Sequence, residues 1–168
     1  QTLTVATDLP STASFAYDAR GRLLNATDAR GNVTAYVYDL LNRPIQVTDP
    51  DGKKSTFQYD AVGNLLKTID PLGRTTKFTY DLLRRWLTTT NADGTFATST
   101  YDPANNVTVA TDELGRPINA LFDRRNRVIR MLLADGTMAQ TRFGGNGRVV
   151  AVVDPRGNVT RFAYDVLD

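Results

Sequence analysis

The chain contains no cysteine and no histidine, and these absences remove much of the common chemistry of proteins. Without cysteine there is neither a disulfide framework nor a thiolate nucleophile. Without histidine, the commonest general base and metal ligand is missing. No apolar run approaches the ~18 residues that span a bilayer. We therefore expect a non-enzymatic chain with no catalytic residue, no cofactor, no metal site and no membrane span.

The chain also lacks an excess of one charge. Lysine and arginine number 20 and acidic residues 18, so the formal net charge is only +2. The two signs alternate along the chain and no basic run appears, which gives no support to a nucleic-acid partner.

What the sequence does contain is a repeat. Seven consecutive units of 21 residues fill positions 17–163 without an insertion or deletion. A fixed period of this length is typical of a repeat architecture. We interpret 1–168 as a single array with partial repeats at both ends, cut from a longer array.

Three positions define each repeat. The aromatic positions are Tyr17, Tyr38, Tyr59, Tyr80, Tyr101, Phe122, Phe143 and Tyr164. The residue that follows is Asp18, Asp39, Asp60, Asp81, Asp102, Asp123, Gly144 and Asp165. A glycine comes 14 residues after each of the first seven aromatics, at Gly31, Gly52, Gly73, Gly94, Gly115, Gly136 and Gly157.

Each repeat carries two turn signals, such as 18–21 and 28–31. Aspartate at the first position of a turn can accept a backbone N–H two residues on, and proline at the second presets φ. Glycine or asparagine at the fourth position supplies the positive φ of the bulge that follows. We therefore expect positive φ at the glycines above, a destabilising effect of Gly73→Val, and strain or a different turn at Arg84.

Segments of six or seven residues rich in Thr, Val, Leu and aromatics lie between the turns. They are too short, and too closely bounded by Gly and Pro, for helices. The sequence predicts an all-β fold: a 21-residue-repeat antiparallel β-hairpin meander of about 14 strands. An open sheet of that length must curl or split, so we expect a curled meander with little core.

The aromatic and the residue five later flank the same turn, and we expect them to be close cross-strand neighbours. Arginine at the later position could then lie over the ring of its own repeat. The expected pairs are Tyr17–Arg22, Tyr38–Arg43, Tyr80–Arg85, Phe122–Arg127 and Phe143–Arg148.

Other uses of these residues are weaker hypotheses. A choline-binding solenoid needs several tryptophans, and Trp86 is alone. The aromatic stripe could stack on sugars, but packing against neighbouring rungs is the simpler interpretation. The Asp-Pro-x-Gly tetrads at 49–52, 70–73 and 154–157 are interpreted as turns rather than as an aspartyl cleavage site, which would need a facing second carboxylate.

The series Tyr-Asp-x-x-Gly-Arg-Leu followed by Asp-x-x-Gly resembles the RHS/YD-repeat family. Residues 17–23, with Asp28 and Gly31, match the motif position by position, and the iterated pattern covers all seven repeats. Members include bacterial Rhs polymorphic toxins, a component of insecticidal Tc toxins, wall-associated proteins and teneurins. In the toxins of this family the repeats wind as a β-spiral into a hollow shell, which holds a C-terminal toxic domain until delivery. The resemblance therefore implies that this chain is a spiral or shell segment.

The resemblance implies a structural role in toxin encapsulation. We expect a shell segment of a secreted or exported bacterial protein, a secretion-system effector or cell-surface protein of interbacterial competition. Its partners would be the remainder of the YD-repeat shell and an enclosed C-terminal toxin or cargo polypeptide. The alternative is an extracellular module that binds carbohydrate or a receptor in adhesion. Unpaired strand edges also predict edge-to-edge self-association of the isolated chain.

Overall fold

The computed structural model describes residues 12–165. The outermost parts of the two partial repeats, positions 1–11 and 166–168, lie outside the described residues. Fifteen β-strands follow one another along the described chain, and no helix occurs in it. The antiparallel hairpin meander predicted from the turn spacing is therefore confirmed, while its curl stays a prediction.

The chain divides into two compact units, residues 1–77 and 78–168, with the boundary inside one strand. The described part of the first unit holds β1 (Ser14–Tyr17), β2 (Leu23–Thr27), β3 (Val33–Tyr38), β4 (Pro44–Thr48), β5 (Lys54–Tyr59), β6 (Leu65–Ile69) and the start of β7 (Thr75–Tyr80). Each strand pairs antiparallel with its neighbours in chain order.

The second unit begins with the end of β7 and follows the same order. Its further strands are β8 (Trp86–Thr90), β9 (Phe96–Tyr101), β10 (Val107–Thr111), β11 (Pro117–Phe122), β12 (Val128–Leu132), β13 (Met138–Phe143), β14 (Val149–Val153) and β15 (Val159–Arg161). Pairing is again antiparallel between consecutive strands.

The two hairpins of a repeat differ in register. Across the second turn the pairing is regular, as in Ala26↔Thr34. Across the first turn the register shifts just before the aromatic, so Tyr38 pairs with Pro44 rather than with Arg43. The same shift precedes Tyr17, Tyr59, Tyr101, Phe122 and Phe143. A β-bulge therefore recurs at one position of the repeat, next to the arginine.

A one-layer sheet leaves almost nothing buried. Of the described residues only Ala151 and Ser99 are fully buried, with 8% and 6% of their surface exposed. Large apolar side chains at the turn tips stand in solvent, such as Leu82 in the turn after β7. The stability of each unit must therefore come from contacts between adjacent hairpins, because there is no central core.

Candidate functional site

The candidate functional site is the repeated first turn, because it carries the aromatic-aspartate pair of six units and the arginine of five. Asp18 opens such a turn, and the Gly21 N–H closes it by donating to the Asp18 carbonyl oxygen over 3.0 Å. The Asp18 N–H in turn donates to the carbonyl oxygen of Arg22 over 2.9 Å. The described residues contain fourteen such turns, two in each repeat, at the positions predicted.

The aspartate side chain holds the turn together from inside. Asp18 Oδ1 accepts the backbone N–H of Arg20 at 2.8 Å and that of Arg22 at 3.0 Å. Asp39 does the same for Leu41 and Arg43. The predicted acceptance two residues on is confirmed, and a second backbone donor, four residues on, accompanies it.

The second carboxylate oxygen selects the side chain four residues on. Asp39 Oδ2 accepts Arg43 Nε at 2.7 Å, and Asp60 Oδ2 accepts Asn64 Nδ2 at 2.7 Å. Arginine and asparagine alternate freely at this place in both turn types, since each presents an N–H at the same reach. Eleven of the fourteen turns open with aspartate, and its side-chain partner varies more.

These hydrogen bonds stabilise the ionised carboxylates. The side chain of Arg127, followed by backbone N–H donors, lowers the pKa of Asp123 to about 2. Asn106 lowers the pKa of Asp102 in the same way. Partial burial acts in the opposite direction on Asp81, but the hydrogen bonds from Arg85 and Leu83 outweigh it and the pKa is again lowered.

Three turns lack aspartate at the first position and use a substitute that sequence reasoning missed. Turns 91–94 and 133–136 begin with Asn91 and Leu133, and a carboxylate appears at the third position instead. There Asp93 Oδ1 accepts the N–H of Thr95 at 2.9 Å, and Asp135 serves Thr137 likewise. Turn 144–147 places Asn146 in the same role. The signal in the sequence was an aspartate or asparagine at the third position of the turn instead of the first.

The residues with positive φ lie where the sequence predicts them. All seven glycines that follow the aromatics by 14 residues have positive φ, from 73° to 86°. The fourth position of the first turn is also left-handed in every repeat: glycine or asparagine in six, and Arg84, at φ 63°, in one. Arg84 thus keeps the common turn and accepts the strained conformation.

The first-turn arginines connect one repeat to the next. Arg43 Nη1 donates to the carbonyl oxygen of Asp60 at 2.8 Å, while its guanidinium lies 4.7 Å from the centroid of the Tyr59 ring. We call this combination the arginine bridge. Equivalent bridges start from Arg22 to Asp39 and Tyr38 and from Arg85 to Asp102 and Tyr101. Arg127 lies over Phe143 in the same way but donates to the carbonyl oxygen of Gly147, the fourth residue of the next turn.

The expected partners of these arginines were wrong. Tyr17–Arg22, Tyr38–Arg43, Tyr80–Arg85, Phe122–Arg127 and Phe143–Arg148 were predicted, but each of the five guanidinium groups lies over the aromatic of the following repeat, Arg148 over Tyr164. The bulge places the arginine outside the regular pairing with its own aromatic. Its aspartate then fixes Nε, so the guanidinium extends toward the next hairpin.

Two tyrosine hydroxyl groups add a hydrogen bond from one repeat back to the preceding repeat. Tyr101 Oη donates to the carbonyl oxygen of Trp86 at 2.7 Å, and Tyr164 Oη donates to that of Val149 at 2.8 Å. Each acceptor directly follows the arginine that covers the ring. Adjacent repeats are thereby joined in both directions, and the Tyr-Asp pair serves cohesion of the array.

The site offers little for other chemistry. Residues 12–165 contain no cluster of three or more acidic side chains placed to hold a metal ion. The tetrads 49–52, 70–73 and 154–157 are turns closed by N–H to carbonyl bonds of 2.9 Å. No helix of the described chain is long and apolar enough to cross a membrane.

Comparison with solved structures finds the same fold in toxin complexes. The Photorhabdus luminescens Tc holotoxin pore matches with a TM-score of 0.66 at 16% identity, over 83% of this chain and 9% of the matched chain. TcdB2-TccC3 without its hypervariable C-terminal region matches with a TM-score of 0.68 at 16% identity, over 89% of this chain and 9% of that one. The chain thus spans about a tenth of these proteins. No curated protein sequence matches it.

A family model described as RHS Repeat matches residues 17–54, 59–96 and 145–168, which together are more than half of the chain. These segments contain the turn aspartates Asp18, Asp39, Asp60 and Asp81 and the arginine bridges of Arg22 and Arg43. The chain belongs to the RHS repeat family and is a structural repeat array of that family.

Proposed function

We propose that the chain is a wall segment of a hollow β-shell that encloses a toxin or other cargo polypeptide. The observation that carries the proposal is the arginine bridge, which joins successive hairpins laterally where no core does so. A sheet held together in this way can extend by whole repeats, as a wall requires.

Two further features support containment. The repeat keeps its 21-residue phase over the whole array, so no loop is enlarged into a separate binding element. The two solved structures compared above are toxin complexes, one of them a Tc holotoxin pore. We propose on the same grounds that the chain is non-enzymatic and acts in an exported bacterial protein.

The partners follow from this role. A wall segment pairs with the remainder of the shell and touches the enclosed polypeptide. In isolation, its unpaired strand edges favour edge-to-edge association. Light scattering of the purified chain tests this; a strictly monomeric chain at high concentration contradicts it.

The containment proposal is tested in the full-length protein by protease protection. A cleavable linker is inserted in the turn 70–73, and the enclosed polypeptide is exposed to a second, unspecific protease. We expect protection before the linker is cut and digestion afterwards. The uncut protein is the matched control.

Digestion at the same rate before and after cutting contradicts containment. The adhesion alternative has its own measurement, a glycan array probed with the isolated chain. Low-micromolar binding of one glycan by a monomeric chain would favour adhesion instead.

A further inference from the structure

The second unit contains a cavity of about 530 Å³ where several departures from the repeat pattern meet. Its volume lies in the range of small-molecule sites. Trp86, the only tryptophan of the chain, lines it, as does Glu113, the only glutamate. Leu133 also lines it, at the turn position where other repeats have aspartate or asparagine. A purely structural array gives no reason for these exceptions to converge.

The hollow arises beside a gap in the aromatic stripe. Two residues before the repeat aromatic the sequence has Phe15, Tyr36, Phe57 and Phe78, then Ser99, Ala120 and Thr141, and again an aromatic at Phe162. Ser99 pairs with Ala110, and Ala110 pairs with Ile118. Both of these partners line the cavity. Small side chains thus stand beside a place where earlier repeats carry a ring.

The cavity offers a mainly apolar surface edged by carboxylates. The Trp86 indole N–H already donates to Thr89 Oγ1 at 2.9 Å, so Trp86 contributes its ring rather than a free donor. Asp112 is paired with Arg116 at 2.7 Å, and Asp135 accepts from Thr137. Within residues 12–165, no group donates a hydrogen bond to the Glu113 carboxylate.

We propose that this cavity binds a small organic cation, an ammonium group carried on an aromatic ring. The ring would lie against Trp86 and Leu133, and the ammonium would lie beside Glu113. A neutral sugar fits less well, since most of the lining surface is apolar and cannot satisfy its hydroxyl groups. An anion would meet the Glu113 and Asp135 carboxylates, and the cationic lining residue, Arg116, is already paired with Asp112.

Three probes of one shape test the charge preference: 2-phenylethylammonium, 2-phenylethanol and phenylacetate. Trp86 is the sole fluorophore of its kind, so its emission reports occupancy directly, and calorimetry gives an independent titration. We expect saturable binding of the cation with a dissociation constant on the order of 1 mM or below. The alcohol should bind about fivefold more weakly and phenylacetate should not saturate.

Variants separate the charge from the hollow. Glu113→Gln should weaken the cation about fivefold and leave 2-phenylethanol unchanged, because only the charge is lost. Ala110→Leu fills the hollow and should weaken both probes about tenfold or more. The matched controls are Asp51→Asn, an exposed turn carboxylate, and Ala26→Leu, the same repeat position as Ala110 in the first unit; neither should alter binding.

The proposal is overturned if no probe saturates in either titration, or if Ala26→Leu weakens binding as much as Ala110→Leu. Equal binding of all three probes, or an unchanged cation affinity in Glu113→Gln, also overturns it. Circular dichroism verifies that each variant is folded. Since Glu113 is exposed and unpartnered, its variant keeps the test decisive even if Ala110→Leu unfolds.

Discussion

In most turns a single aspartate carboxylate accepts three donors. In the turn that opens at Asp18, Oδ1 accepts two backbone N–H groups and Oδ2 accepts Arg22 Nε at 2.6 Å. The fourth turn residue must then be left-handed for the chain to enter the next strand. The residue-scale requirements are therefore a carboxylate or amide acceptor and a residue that tolerates positive φ.

The left-handed requirement is tested at Gly73, whose φ is +78° and whose added Cβ would meet no atom within 4 Å. Gly73→Ala should therefore destabilise through backbone conformation alone, by about 1–2 kcal/mol in chemical denaturation. Gly73→Val should cost at least as much. Gly145, outside the left-handed region and equally unobstructed, is the matched control. Gly145→Ala should be neutral or slightly stabilising, and equal losses at both glycines would contradict the assignment.

At Arg84 we predict a gain in stability instead of a loss. It is exposed and holds φ at 63°, where three other repeats place asparagine. Arg84→Asn should raise the free energy of unfolding by about 0.5 kcal/mol, since asparagine tolerates this conformation better. Arg84→Lys retains the charge and the strain, so it should leave stability unchanged. A lysine variant as stabilising as the asparagine variant would show that loss of the guanidinium group, and not the backbone conformation, is responsible.

The turn carboxylates also predict acid sensitivity. Hydrogen bonds from Arg127 lower the pKa of Asp123 to about 2 from an ordinary 3.8. The folded state therefore holds fewer protons than the unfolded state in this range. Stability should be fully present above about pH 4 and should fall as the pH drops toward 2. Thermal melting from pH 6 to pH 2 measures this.

Asp123→Asn should reduce the steepness of the acid loss, because one lowered carboxylate is gone. Asp51→Asn is the control, since the Asp51 carboxylate is exposed and its only cation, Lys53, is 3.8 Å away. Melting temperatures that are constant down to pH 2 would contradict the role of the turn carboxylates.

At the element scale, the bulged hairpin converts a local turn into a contact between repeats. The arginines of the two turn types make the same bond to their aspartates, Arg43 Nε at 2.7 Å and Arg74 Nε at 2.6 Å. Arg43 continues to the next repeat and is 23% exposed, whereas Arg74 is 66% exposed. Only the first-turn arginine is therefore part of the cohesion of the array.

The comparison of Arg43→Lys with Arg74→Lys tests that difference. Lysine cannot hold Asp39, donate to the Asp60 carbonyl oxygen and stack on a ring together. Arg43→Lys should lower the free energy of unfolding by about 1–2 kcal/mol, and Arg74→Lys by less than about 0.5 kcal/mol. A double-mutant cycle with Tyr59→Leu should give a coupling of about 0.5–1 kcal/mol. Zero coupling would contradict the bridge.

The hairpins show what the sequence could and could not predict. Turn positions, strand number and left-handed glycines followed from local chemistry, because aspartate, proline and glycine act on their own backbone. The partner of Arg43 could not be predicted, because it depends on a bulge of one residue and on the distance to the next hairpin. Asp93 replaces the missing aspartate of its turn and is visible in the sequence. Its role could not be predicted without knowing which backbone N–H groups the turn leaves without an acceptor.

At the scale of the whole molecule, cohesion is a sum of contacts between neighbouring repeats. Fully buried side chains are almost absent from the described residues, so no distant part of the chain supports a given hairpin. Stability should then depend on the number of repeats and on their phase. First turns must occur at every second hairpin for an arginine to reach the next Tyr-Asp pair.

Deletions of different length test this phase. Removing residues 39–59 takes out one repeat and joins Tyr38 to Asp60, which restores the Tyr-Asp junction. Arg22 should then bridge to the new neighbour, so the shortened chain should keep its β-type circular dichroism and unfold at a slightly lower temperature. Removing 39–48 instead takes out the single strand β4 and moves every later first turn to the opposite edge. In the chain that lacks residues 39–48, the arginine bridges across the junction cannot form. This chain should therefore melt at a much lower temperature or aggregate. Similar melting of the two deletions would show that the array is held by something other than in-phase neighbour contacts.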